Sequence, residues 1–479
     1  MFEISDEGVA AAMAGGAGYA DARVVIRREQ AVSGRNGAIE GLRETESAGV
    51  GVRALVGSSW GFFATADLTA VGARKAGRQA AAIALASSTV PGNPLQLAAV
   101  AAVVDTYETP HMEDPFEVSL TEKADLAINL TAAILSGTDI TKAAATFMFW
   151  DTEKWFVSSQ SSRIHQHIVE SGGGMSATAV KGGESQVRSY PQSYGQFETG
   201  GYEVVRDLAF AEHTAQLADE AAALLRADQC PAGEVDLILD GSQLSLQIHE
   251  SVGHAIELDR ILGWEAAFAG TSFLPLEQLG SFRYGSPLMN ITADATIPGA
   301  LGTYGYDDEG TPAQNVTIVD QGVWKGVLSG RDSAAIAGVE PGGMVRGDGY
   351  ARMPMVRMTN VGLLPGDSSF DEMVADTKDG IYMATNRSWS IDDQRLNFQF
   401  GTEIGWEIKN GKLGRMLRNP TYTGITPTFW ASLDRLAGPD EWVNWGTPNC
   451  GKGQPMQTGH TGHSASPGRF RNVRVGVTG

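Results

Sequence analysis

The chain has 479 residues, of which 42% are apolar and 19% are charged, a composition typical of globular proteins. It excludes a disordered chain and a collagen-like chain, because enough apolar surface is available to build more than one core. The 36 lysines and arginines stand against 56 acidic residues, and the resulting net charge of −20 argues against binding to nucleic-acid phosphates.

The first half of the chain alternates helical patterns with β-branched, period-two segments. Such segments predict strands of an antiparallel sheet between 22 and 65 and again between 143 and 195. Helices are predicted at 4–14, 67–86, 119–136 and 204–227. The first half is therefore predicted to be an α+β domain that consists of an antiparallel sheet and helices.

A break in the chain at Pro231 and Gly233 marks the predicted domain boundary, which divides it into 1–229 and 230–479. After a buried strand, VDLILD, a helical segment extends from Gln243 to about Leu258. Beyond it strands and turns dominate, with hairpin turns predicted at Gln321-Gly322 and Asn410-Gly411. The second half is therefore predicted to be a mostly β domain that carries one helical segment.

The cysteine count and the apolar runs bear on location. Two cysteines, Cys230 and Cys450, cannot build a disulfide framework. The N-terminal residues lack the basic and apolar regions of a signal peptide, and every apolar run falls short of the ~20 residues that span a bilayer. We expect a soluble cytoplasmic protein with no membrane segment.

The segment QIHESVGHAIELD holds the most informative cluster, His249, Glu250 and His254, with the spacing His-Glu-x-x-x-His. At about 100° per residue, two side chains five positions apart diverge by about 140° on an ideal α-helix. They can bind one metal ion only where the helix widens or kinks, and Gly253 is a suitable position for that. Taken alone, the three residues favour ordinary surface or capping roles over a metal site.

A third ligand would strengthen the case for a metal site. Cys450 lies in a glycine-rich loop, and His460 and His463 follow it closely as rival ligands. A lone cysteine is otherwise a small buried apolar residue. Glu257 and Asp259 are candidate acceptors for the N–H groups of ligand imidazoles.

The chain resembles the TldD/PmbA family of metallopeptidases, and in particular its metal-bearing TldD-like branch. Seven segments spread over nearly the full length match in family order. They are GVGVRALVGSSWGFFATADL, KWFVSSQSSRI, HESVGHAIELD, TYGYDDEGTPAQNVTIVDQGVWKGVLSG, RMTNVGLLPG, DGIYM and CGKGQPMQTGHTGHSASPGRFRNVRVG. The stretch MATNRSWSIDDQRLNFQF departs from the more glycine-rich run of many relatives.

The resemblance implies a site and an activity. It implies Zn²⁺ bound by His249, His254 and Cys450, with Glu250 as catalytic base. It also implies a barrel-like C-terminal domain, a cytoplasmic location, and peptide substrates in extended form, including precursors of ribosomally made peptides. The N-terminal domain would serve dimerisation and the substrate cleft, in a homodimer or a heterodimer with a metal-free TldE/PmbA-like subunit.

Three further residues are predicted to contact substrate. His463 and Tyr422 are candidates for stabilising an oxyanion, although a position behind the ligands and a buried aromatic role are the alternatives. Asp308 belongs to the cluster Asp307-Asp308-Glu309, which suggests a second metal site, a solvated turn or a substrate-contact loop. Two other functions remain open: a non-catalytic peptide-binding subunit with structural zinc, and a zinc hydrolase acting on small amides.

Overall fold

The fold was analysed in a computed structural model that describes residues 1–90, 95–268 and 270–476. Two eight-stranded sheets dominate it, one in each half of the chain, and helices cover parts of both. The predicted α+β class is confirmed. Within the described ranges, none of the helices combines the length and apolarity needed to cross a bilayer.

The N-terminal half is built on two long antiparallel hairpins that lie side by side. Its elements are α1 (Phe2–Ala14), β1 (Tyr19–Arg35), β2 (Ala38–Val56), β3 (Ser59–Thr65), α2 (Ala70–Ser87), β4 (Val104–Glu108), α3 (Leu120–Leu135), β5 (Ile140–Ser158), β6 (Arg163–Lys181), β7 (Glu184–Tyr190), β8 (Gln196–Thr199), α4 (Glu203–Asp207) and α5 (Phe210–Leu224). The strand order is β3-β2-β1-β5-β6-β4, and both β7 and β8 also pair with β6. The predicted antiparallel sheet is therefore present, and β4 alone joins it in parallel.

The helices cover one face of this sheet. Alanines of α2 pack with α1 on β1 and β2, while α3 and α5 cover β5 and β6. The helices α1 and α2 approach closely, because a Cβ atom at Gly77 would lie 2.1 Å from the carbonyl oxygen of Gly8. The side chains of Thr69 and Ser119 cap α2 and α3 and so fix where these helices begin.

The helix predicted at 204–227 is interrupted. It consists of α4 and α5, which are separated at Ala209, where φ is +46°. A left-handed residue cannot continue an α-helix, so the chain changes direction there. The turn allows Phe210 to enter the core beneath the sheet. Apolar spacing alone does not reveal such a break, since Ala209 has the composition of a helix interior.

The C-terminal half contains a closed barrel and several small sheets. Its elements are β9 (Asp228–Gln229), β10 (Gly233–Leu239), α6 (Gly241–Ile248), a π-helical turn (His249–Gly253), α7 (Leu258–Ile261), a 3-10 turn (Leu276–Gln278), β11 (Ile291–Asp294), β12 (Asn315–Asp320), β13 (Val323–Trp324), α8 (Arg331–Ala337), β14 (Val345–Arg346), β15 (Met355–Val356), β16 (Val361–Leu363), α9 (Phe370–Ala375), β17 (Asp379–Ile391), β18 (Asn397–Lys409), β19 (Lys412–Arg418), β20 (Thr421–Ile425), α10 (Thr426–Ala431), β21 (Leu433–Leu436), a second 3-10 turn (Pro439–Glu441), β22 (Val443–Lys452), β23 (Gln457–Ala465) and β24 (Gly468–Val475).

The barrel arises because β17 pairs with both β10 and β18. The order β17-β10-β24-β20-β18 thereby closes on itself, and the barrel-like prediction is confirmed. The hairpin turns predicted at Gln321-Gly322 and Asn410-Gly411 are also confirmed, because both residues of each turn have positive φ, the conformation of a tight hairpin.

The two halves meet through buried ion pairs. Asp308 is fully buried between Arg23 and Lys154 of the N-terminal sheet, at 2.5 Å from each. Glu309 lies 3.1 Å from Arg53, and Asp307 accepts backbone N–H groups of its own loop. The acidic cluster is therefore neither a solvated turn nor a substrate loop. Asp308 and Glu309 neutralise cations on the sheet face opposite the helices.

Candidate metal centre

The helical segment that carries the two histidines begins at a side-chain N-cap and continues into a wider, π-helical turn. The Asp240 side chain accepts the N–H of Ser242 at 2.9 Å and starts α6, every residue of which is buried. From His249 to Gly253 the helix becomes a π-helical turn, in which the N–H of His254 donates to the carbonyl of His249 at 3.1 Å. The widening predicted from the five-residue spacing is present.

Gly253 lies within this turn. A Cβ atom there would lie 2.2 Å from the sulfur of Met358, so a larger residue would require this buried methionine side chain to move. The widened turn brings His249 and His254 to the same side, with ring centroids 4.8 Å apart.

The third group arrives from β22, which pairs with β23 as a hairpin. Cys450 follows a register shift in this pairing, opposite Gly459, and its sulfur lies 3.8 Å from Nε2 of His254. One ligand atom each from His249, His254 and Cys450 lies within 4.8 Å of the other two, and all three residues are buried. The structure therefore brings together the three residues that the resemblance implies as ligands.

A buried histidine fixes the tautomer of His249. Nδ1 of His463 lies 3.0 Å from the carbonyl oxygen of Val361, which can only accept, so Nδ1 carries the proton. Burial and the neighbouring His249 hold the pKa of His463 well below its usual value, and its Nε2 is therefore an acceptor. Nδ1–H of His249 donates to it at 2.7 Å, which leaves Nε2 of His249 free to coordinate.

A carboxylate performs the same role for His254. Nδ1–H of His254 donates to Glu257 at 2.9 Å, so Nε2 again faces the ligand group. Burial alone would raise the pKa of Glu257, but Lys452 and His254 hold it well below the usual value. Of the two predicted acceptors, only Glu257 contacts an imidazole. Asp259 binds the Lys452 ammonium at 2.7 Å instead.

The electrostatics of the three groups suit a divalent transition metal. Burial lowers the pKa of His249 and His254 and keeps both imidazoles neutral. For Cys450, burial would raise the pKa of the thiol, but Arg357 and His254 outweigh it and lower the pKa. Two neutral imidazole nitrogens and a thiolate are ligand types that zinc binds.

Glu250 is adjacent to the first ligand and faces a cleft of about 390 Å³ that the three ligand residues also line. Its carboxylate accepts a hydrogen bond from Arg395 at 2.7 Å. Arg395 comes from the turn between β17 and β18, has a φ of +66°, and also lines the cleft. Sequence reasoning did not identify it, although it lies within the stretch that departs from the glycine-rich run of relatives.

The cleft continues along the N-terminal sheet. Tyr194 and Asn449 line both the metal cleft and a neighbouring cavity of about 370 Å³, which extends over β5, β6 and β7. Trp389 forms a further wall of the metal cleft, and its ring contacts that of Tyr194. Both halves of the chain therefore contribute to the groove that leads to the ligand group.

The three predicted substrate contacts all lie outside this cleft. His463 is buried behind His249, and Asp308 lies in the interface between the two halves. Tyr422 is buried behind α6, where its hydroxyl bonds to Gln243 and Gln247. In these positions the buried side chains support the site or the fold, and their contact with substrate stays a prediction. His460, the other rival ligand, bonds to Glu170.

Comparisons with known proteins agree with this architecture. The chain matches the model of the PmbA/TldA metallopeptidase C-terminal domain over residues 232–468. It also matches the models of domain 1 and of the central domain of the same family over 20–85 and 113–228. A metalloprotease of Methanocaldococcus jannaschii is 30% identical over 447 residues, which cover 93% of this chain and 94% of that protein.

Two further relatives extend the comparison. A TldD homolog of Saccharolobus solfataricus, named as a zinc metalloprotease, is 28% identical over 208 residues, 43% of this chain and 44% of that protein. The crystal structure of TldE from Thermococcus kodakarensis superposes with a TM-score of 0.72 at 16% identity, covering 98% of this chain and 99% of that one. The chain belongs to the PmbA/TldD family of metallopeptidases.

Proposed function

We propose that this protein is a zinc-dependent peptidase that hydrolyses extended or unfolded peptides. The observation that carries the proposal is the convergence of His249, His254 and Cys450 beside Glu250 on one open cleft. The name of the Saccharolobus solfataricus relative supports zinc as the metal. Two neutral imidazoles, a thiolate and a free fourth position are typical of a catalytic zinc site.

Bound zinc would supply a Lewis acid that polarises the scissile carbonyl and makes water acidic enough to lose a proton near neutral pH. Glu250 is the base in this proposal: it accepts the proton of the attacking water and delivers it to the leaving amine. Arg395 orients the Glu250 carboxylate through their 2.7 Å hydrogen bond. A cation at this position also opposes the negative charge that develops on the carbonyl oxygen.

The shape of the groove supports a peptide substrate. Strands β5, β6 and β7 flank the cavity that continues from the metal cleft, and an extended peptide can bind such surfaces through main-chain hydrogen bonds. A folded protein cannot offer its backbone in this way. The proposal therefore expects one substrate protein to be cleaved much faster unfolded than folded, and equal rates would contradict it.

The same proposal includes a partner and a location. The likeness to TldE supports assembly of this chain as a dimer, with itself or with a TldE/PmbA-like subunit. Native mass measurement of the chain, alone and after co-expression with such a relative, distinguishes the two. Both cysteines are unbridged, which suits the reducing cytoplasm.

The test combines metal analysis with peptide cleavage. Glu250→Gln should retain zinc and lose turnover, whereas Cys450→Ser should lose zinc affinity. Cys230→Ser is the matched control, because Cys230 is also buried and unbridged but belongs to no ligand group. Wild-type cleavage by Glu250→Gln would refute the catalytic role of this residue and favour a peptide-binding subunit with structural zinc. Cleavage of small amides but not of peptides would favour the other alternative.

A further inference from the structure

A second polar cavity lies between the two halves of the chain, and no residue lines both it and the metal cleft. Its volume is about 70 Å³. Strands β1, β5 and β6 form one wall, and the C-terminal half forms the other. The charged side chains that line it are Arg27, Lys154, Glu170, Arg346, Asp348 and Arg357.

These walls carry four cations and two carboxylates in a chain whose net charge is −20. Both carboxylates already have partners in the protein. Asp348 lies 3.1 Å from Arg27, and Glu170 accepts from His460 at 2.9 Å. Lys154 shares the Asp308 carboxylate behind the wall with Arg23. The other two cations of the wall, Arg346 and Arg357, form no ion pair among the described residues.

Within the described ranges, Arg346 and Arg357 lack a direct carboxylate partner, although Glu170 and Asp308 act on the charge of Arg346 from farther away, and the charge of Arg357 favours the Cys450 thiolate. Among the residues that the structure describes, neither has a carboxylate within 4.0 Å, and the hydrogen bonds of both go to backbone carbonyls. Nε of each is buried and has no hydrogen-bond partner. Arg357 is only 2% exposed. Two guanidinium groups without a direct carboxylate partner, side by side at one cavity, form a favourable place for an anion.

Electrostatic repulsion between Arg346 and Arg357 also favours the binding of an anion between them. Burial lowers the pKa of Arg346, and together with the charge of Arg357 it outweighs the opposing effects of Tyr304, Glu170 and Asp308. Side chains of Arg27 and Asp348 are 23% and 29% exposed, so the cavity opens to solvent on their side. An ion could therefore enter from solvent and reach the deeper arginines.

We propose that this cavity binds a small dianion of the phosphate class, held by Arg346 and Arg357 between the two halves of the chain. A dianion would balance the two unpaired guanidinium groups. The planar fork of donors on arginine suits the oxygens of phosphate, and a cavity with room for a few water molecules accommodates one such ion. The inference does not depend on the proposed peptidase activity.

The test is titration of the zinc-loaded protein with inorganic phosphate by calorimetry, at an ionic strength held constant with chloride. We expect saturable binding and a rise in the thermal unfolding midpoint. Arg346→Met should weaken phosphate binding at least about tenfold, since a charge-assisted contact is lost. Arg346→Lys, which keeps the charge, should weaken it less.

Two further variants keep the result interpretable. Cys450→Ser should bind phosphate like the wild type, because a phosphate held at the metal centre would be lost with the ligand. If Arg346→Met does not fold, Arg27→Gln at the cavity mouth should still weaken binding. Absence of saturable binding, unchanged affinity in the Arg346 and Arg27 variants, or loss of binding in Cys450→Ser would each overturn the proposal.

Discussion

Replacing Glu257 by glutamine tests whether the site depends on residues behind the ligands. The Glu257 carboxylate is fully buried and accepts N–H groups from His254 at 2.9 Å and Arg260 at 2.8 Å. The Lys452 ammonium lies 3.3 Å away. Glutamine preserves the shape and one acceptor oxygen but removes the charge on which these cations depend.

The expected losses follow from this geometry. Breaking a buried ion pair by removing one partner costs about 3–5 kcal/mol, and Lys452 keeps Asp259 as a second partner, so we expect about 3 kcal/mol of unfolding free energy to be lost. Loss of the anionic acceptor of a ligand imidazole typically weakens metal binding by about 10- to 100-fold. Urea unfolding of the metal-free protein measures the first quantity, and chelator competition for zinc measures the second.

The matched control is Glu403→Gln. Glu403 is equally buried and accepts from Arg188 and Ser189, but it joins the two halves of the chain away from the ligand group. It should lose similar stability and keep the zinc affinity of the wild type. If Glu257→Gln bound zinc as tightly as the wild type, the assignment of Glu257 as the group that orients His254 would be refuted.

Three other changes have definite outcomes. Arg395→Met should retain zinc and lower kcat about 10²-fold, as expected for a lost donor near the reacting oxygen, and an unchanged kcat would exclude that role. His463→Phe should weaken zinc binding at least about tenfold in chelator competition, because Nδ1–H of His249 loses its acceptor; equal affinity would show that another group orients that ring. The hydrogen bond to Asp151 raises the pKa of His167 to about 9. Because the folded pKa is raised, this stabilisation is complete below about pH 6.5 and disappears as pH rises through about 9. His167→Gln should therefore be less stable by about 2 kcal/mol below about pH 6.5, by a decreasing amount between about pH 6.5 and 9, and not at all above about pH 9. Unfolding free energies measured across this range check it, and a difference that does not vary with pH would contradict it.

Local features of the fold were predictable because they depend on neighbouring residues. Ser119 begins α3 as predicted, since its hydroxyl accepts a backbone N–H that the helix leaves free. The two hairpin turns follow from residue types that tolerate positive φ. The widened helix also follows from local geometry, because His249 and His254 share a side only in a π-helical turn.

The sequence did not predict features that depend on residues far away along the chain. The backbone of Ala209 is left-handed, and the turn it makes places Phe210 in the core. The residue types next to Ala209 give no sign of this turn. The acids at 307–309 read as a solvated loop, yet they are buried because the opposite sheet face carries the arginines and the lysine that pair with them. The complementary charges are more than 150 residues away in sequence.

The third candidate metal ligand best illustrates the difference between what the sequence predicts and what the tertiary structure determines. By itself the sequence determined that a histidine pair on a widened helix needs another donor, and it offered Cys450, His460 and His463 within one short segment. The family resemblance implied Cys450, and only the tertiary structure shows where each of the three side chains lies. On β23, His460 and His463 are three residues apart and therefore point to opposite faces of the strand. His460 turns to Glu170 and His463 supports His249 from behind, while the pairing of β22 with β23 brings the sulfur of Cys450 to the ligand group.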